Sequence, residues 1–144
     1  MPLTLQTLFV LLAGAFLGAA AGAASQINYL VLGAAGLPVF AGGSAGGLAR
    51  LLGPTGGYLV GFVAASYFLG WLLKKNDVSW TKLVLGFAAA VIIIHSLGML
   101  RLAALLHLPL KKAFLMGSAP FLPGEAVKII LASLVYKGTK RFFG

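Results

Sequence analysis

Between apolar stretches long enough to cross a bilayer, the chain carries two dense glycine clusters, Gly42-Gly43-Ser44-Ala45-Gly46-Gly47 and Gly53-Pro54-Thr55-Gly56-Gly57-Tyr58. Non-helical backbone is tolerated in hydrocarbon only where protein or a water-filled cavity satisfies its N–H and C=O groups, because each bare group costs several kcal/mol. The glycine segment is therefore expected to line a pocket, with bare amides open to a ligand oxygen.

Hydrophobic residues make up 60% of the 144 residues and charged residues 9%, and mean hydropathy is +1.03. A soluble domain of that size cannot hide so much apolar surface. The reading is all-α, a polytopic helical membrane protein forming a single membrane domain over residues 1–144. Ala19-Ala20-Ala21 would suit a signal peptidase, but further apolar stretches follow, so the first stretch reads as a retained helix. Eleven Lys and Arg against two acids give a net charge of +9. The basic residues gather at segment ends and form no stripe with interleaved aromatics, which points to the lipid bilayer and away from nucleic acid. With no cysteine, disulfides and thiolate metal sites are excluded.

Charges and Gly/Pro clusters divide the chain into about five apolar segments, over residues 3–24, 28–41, 57–73, 83–107 and 126–136. The second, interrupted by Gly36-Leu37-Pro38, is short for a straight span and reads as a broken or tilted helix. The fifth reaches spanning length if it starts near Pro123 and runs to about Lys140. Lys74, Lys75 and Lys82 flank one turn, and Lys137, Lys140 and Arg141 form the tail. Placing both in the cytoplasm sends the glycine loop, the turn at 107–124 and Met1 outward, although Lys111 and Lys112 then lie on the outer side against the charge rule. Gly14, Gly18 and Gly22, at spacing four, make one helix strip smooth, either for internal packing or for docking onto another membrane subunit.

The sequence holds only two acids, so each can be weighed singly. Asp77 sits among lysines in a turn. Glu125 opens an apolar segment, with Lys128 three residues on and on the same face. An acid complementing a helix N-terminus and a structural ion pair are both open readings, yet an ionisable pair in a membrane segment is by default a functional site. By the topology above the pair and the glycine loop share one side, so the candidate ligand-binding residues are Glu125, Lys128, Ser44, Gly46, Gly47, Thr55 and Tyr58; for Tyr58 an interfacial belt position is the alternative. His95, amid an apolar run, reads as a neutral histidine bonded to a neighbouring helix ahead of a proton relay. Arg101 pairs or snorkels. No metal-ligand spacing, nucleotide-binding loop or hydrolase constellation occurs, so neither cofactor nor enzyme chemistry is expected.

Three stretches, Leu37-Pro38-Val39-Phe40-Ala41-Gly42-Gly43, Gly53-Pro54-Thr55-Gly56-Gly57-Tyr58-Leu59-Val60-Gly61-Phe62 and Pro120-Phe121-Leu122-Pro123-Gly124-Glu125-x-x-Lys128, together resemble the BioY family, the biotin-binding S components of energy-coupling factor (ECF) transporters. Pro2-Leu3-Thr4-Leu5-Gln6-Thr7-Leu8-Phe9-Val10-Leu11-Leu12-Ala13-Gly14 is also similar to the family's stretch leading into its second helix. The resemblance implies an S-component-like six-helix fold, of which this chain lacks the first helix, in a prokaryotic plasma membrane. It implies biotin as transported ligand, held outside by the loop after the third helix and by an acid and a lysine matching Glu125 and Lys128. The acidic position is more often Asp in the family. A transmembrane coupling subunit and ATPase subunits are the implied partners. Competing readings are an S component for another vitamin, a structural or assembly subunit that binds nothing, and a membrane enzyme.

Overall fold

A computed structural model describes residues 6–36, 47–54, 56–74 and 78–143. Among these the chain is helical: α1 Gln6–Leu17, α2 Ala19–Ala34, α3 Gly47–Leu52, α4 Gly56–Leu72, α5 Trp80–Leu106, α6 Leu110–Gly117, a 3-10 turn Ala119–Phe121, and α7 Leu122–Phe143. At 27 residues, α5 is about 40 Å long and easily exceeds the roughly 30 Å of hydrocarbon. Ser79 caps it by accepting from Lys82 N at 3.2 Å. Helix α7 begins beside Pro123, tolerated in a first turn, and runs 22 residues, as its sequence signals predict.

Two sequence expectations are corrected. The first break falls at Gly18 and not near residues 25–27. Gly18 has φ 89°, a conformation disfavoured for other residues, and the chain reverses there so sharply that Gly22 returns to Gly14. A Cβ on Gly22 would lie 3.0 Å from Gly14 Cα, and one on Gly14 would lie 2.6 Å from Ser66 O of α4. Gly14 and Gly22 of the small-residue strip are thus spent on internal packing. The second correction concerns 107–124, which is more than a surface turn. His107 closes α5 in a left-handed conformation, and α6 folds back along α5 with Ala113 and Gly117 buried.

Helix α4 is central, packed on α1, α2 and α5. Lipid-exposed helices gain little from hydrophobic burial against each other, so close approach of backbones must supply the attraction. The glycines of α4 provide it: Gly57 lies against Leu97 O, Gly61 against Ile94, and Gly70 against the Gly18–Ala19 peptide. Around them Leu11, Phe62, Leu69, Leu83, Phe87 and Ile94 form a fully buried core. Outside, Phe9, Leu85 and Ile92 stand 65%, 63% and 64% exposed, an apolar girdle unsuited to water. At one end Lys137 Nζ donates to Val78 O and sits 5.7 Å from the Trp80 ring centroid. The polar cluster lies toward the other end.

Candidate binding site

Helix α1 runs alongside α7 in the same direction: Thr7 meets Glu125 near both starts, and the Phe16 and Tyr136 rings meet at 5.3 Å further along. That alignment puts three first turns at one end of the bundle, carrying Thr7, Tyr58 and Glu125. The return of α6 adds Ser118, and α5 contributes His95 from near its middle. All five side chains and Lys128 are buried; Glu125 is 2% exposed and Lys128 7%.

Glu125 Oε1 accepts from Thr7 Oγ1 at 3.3 Å and from Lys128 Nζ at 3.5 Å, and faces His95 Nε2 at 3.5 Å. Its other oxygen, Oε2, and His95 Nε2 are both buried without a hydrogen-bond partner. His95 Nδ1 is 3.1 Å from Ser118 Oγ, and the Tyr58 ring meets the imidazole edge-on, centroids 5.8 Å apart. The Tyr58 hydroxyl donates to Gly117 O at 2.5 Å, and Gly98 leaves room for its ring. Tyr58 therefore braces the tip of α6 from inside and is no interfacial belt residue. A cleft of about 160 Å³ adjoins the cluster, lined by Val91, His95, Met99, Phe114, Ser118 and Leu122.

Glu125, Lys128 and Tyr58 thus come together through His95. Ser44, Gly46 and Thr55 lie outside the described residues. Gly47 instead opens the short α3, whose last carbonyl, Leu52 O, accepts from Arg101 of α5. Gly56 and Gly57, expected as flexible loop, belong to the first turn of α4 and face Leu51 O and Leu97 O, where a side chain would collide. Thr7 and Ser118 join the site with no sequence signal, since a lone hydroxyl in an apolar run has no diagnostic spacing. Among the described residues no group of three His, Cys, Asp or Glu could hold a metal ion.

An apolar girdle around a close-packed helical bundle, with an ion pair and hydroxyls buried near one end, defines a helical membrane protein with an internal polar site. A crystal structure of the S-component for biotin from an ECF-type ABC transporter matches it with TM-score 0.88 and 29% identity, over 98% of this chain and 76% of that one. The probable biotin transporter BioY of Pyrococcus horikoshii is 40% identical over 93% of this chain and 77% of its own length. The biotin transporter BioY of Thermotoga maritima is 38% identical over 93% and 78%. Residues 1–144 match the BioY family, and the chain belongs to it.

Proposed function

We propose that this protein is the substrate-specific S component of an ECF-type transporter and binds biotin for ATP-driven uptake. Within BioY membership, the observation that carries the reading is the buried Glu125–Lys128 pair with one carboxylate oxygen lacking a hydrogen-bond partner. A buried acceptor left bare is costly, and donors at 3.3–3.5 Å compensate it weakly. Ligand N–H groups would complete it, and Lys128 would offer charge-assisted donation. No bond is made or broken in this role; the chain binds, orients and releases. Because the pair is buried, biotin reaches it by displacing part of the wall that Tyr58, Gly117 and Ser118 form. Ser44, Gly46, Gly47 and Thr55 belong to the proposed site through their position in the sequence motifs.

The proposed setting is a single membrane domain crossing a prokaryotic plasma membrane several times, with the Glu125 end outward. The lysines at 74, 82 and 137 then lie inward, in accord with the charge rule. A coupling subunit and ATPase subunits supply the energy. Isothermal titration of the detergent-purified chain with biotin tests the reading, with saturable binding of one biotin per chain expected. Absence of heat at saturating biotin, with the protein folded, would sink it.

A further inference from the structure

The three neighbours of Glu125 are unevenly placed: Thr7, Lys128 and His95 all face Oε1, His95 Nε2 at 3.5 Å without a formed hydrogen bond, while the buried Oε2 also has no hydrogen-bond partner. An ionised carboxylate can only accept, so an imidazole nitrogen that faces it is favoured in the state that carries the hydrogen. In a neutral ring with Nε2 protonated, Nδ1 is the acceptor, and the Ser118 hydroxyl at 3.1 Å is its donor. Ser118 ends α6 and is 1% exposed, so that hydroxyl is held in place by the fold. The Tyr58 ring packs against the imidazole at 85°, centroids 5.8 Å apart.

We infer that His95 is a positioning residue of the proposed site: fixed by Ser118 in the Nε2–H tautomer, it turns that N–H toward Glu125 Oε1, 3.5 Å away, and so favours the orientation that leaves Oε2 for a ligand that donates N–H. The inference rests on the biotin-binding reading for the identity of that ligand, and on geometry alone for the tautomer. His95 acts through Glu125, much as an outer hydrogen bond orients a metal-bound imidazole. It also links ligand contact to the end of α6, because Ser118 and Gly117 are both tethered to this cluster.

The sequence makes the test selective, since histidine occurs only at 95 and 107 and glutamate only at 125. In the full chain in micelles without ligand, 15N-histidine spectra assigned with His107→Gln should give His95 as the Nε2–H tautomer. The Nδ1–H tautomer, or an imidazolium at neutral pH, would overturn the inference. The 13C-carboxyl resonance of Glu125 should move in His95→Phe and Ser118→Ala and return toward wild type in His95→Gln, whose amide can still donate. With biotin as probe, His95→Phe should weaken binding roughly tenfold, as expected when the polar neighbour that orients a buried charged group is lost. Ser118→Ala should cost less, the double variant no more than His95→Phe, and His95→Gln should recover most of the affinity. Wild-type binding with undiminished affinity in His95→Phe refutes the positioning role. A folded wild type that ignores biotin refutes the function reading instead, while the two spectra still decide the tautomer and its bearing on Glu125. Should His95→Phe not fold, Ser118→Ala decides alone: an unmoved Glu125 resonance overturns the inference.

Discussion

A lysine and a glutamate taken out of water lose hydration that their attraction returns only if the remaining lone pairs and protons find partners. In this bundle Glu125 has partners on one oxygen only, so the pair is held in an arrangement that a ligand can improve. Lys128→Ala is expected to weaken biotin binding by at least about 1.5 kcal/mol through lost charge-assisted donation. Glu125→Gln should cost less, because the amide keeps an acceptor for Thr7 and preserves the shape. Titration of both variants checks this, and unchanged affinity in both removes the pair from the site. The pair was legible in the sequence because a chain with two acids makes each conspicuous. Thr7 and Ser118 were not, since their roles arise from helix ends meeting in space. His95 lay between: bonding to a neighbouring segment was the expected role, and Ser118 is that contact, but nothing local indicates that its other nitrogen would face Glu125.

Glycine serves two purposes among these helices. Gly70→Ala would drive a methyl group into the Gly18–Ala19 peptide, whose backbone cannot yield, and is expected to destabilise the chain by about 1–3 kcal/mol or more. Gly138, in α7 with nothing within 4 Å of its side-chain position, should respond oppositely, Gly138→Ala stabilising by about 0.5–1 kcal/mol. Thermal unfolding in one detergent compares the two, and the same sign for both would refute this division of roles. Spacing of small residues pointed to one smooth strip on a single helix, for packing or docking, whereas the chain breaks at Gly18 and the strip packs α1 against α2. Apolar patterning does not mark a turn when lipid and protein are equally apolar neighbours; the reversal depends on the backbone angle at Gly18. The same blindness hid α6, a short helix whose Ala113 and Gly117 face inward while its lysines remain exposed. Tyr58→Phe removes the bond to Gly117 O, worth about 1 kcal/mol, and should speed amide exchange across residues 110–117 while sparing α5. Equal exchange in both proteins would mean that α6 is held by packing alone.

For the molecule as a whole, the expected division of labour is that this chain selects and other subunits supply energy. Reconstituted by itself it should bind biotin without hydrolysing ATP, and accumulation against a gradient should require coexpressed coupling and ATPase subunits. Uphill uptake into vesicles holding this chain alone would contradict that division. The helical, strongly apolar character of the chain was readable from charge and hydropathy. The way the helix ends meet was not, because Thr7 and Glu125 are separated by 118 positions of chain. That separation bears on how the protein is made. Chains are synthesised from the N-terminus, so Thr7 is made and emerges well before the acid that will face it is translated. Until α7 arrives, the growing bundle carries an imidazole and a threonine whose acidic neighbour has not yet joined them. Helix α7, which inserts after α1 and α5, is therefore the one that completes the polar cluster, and the cluster's assembly reports that α7 is in place.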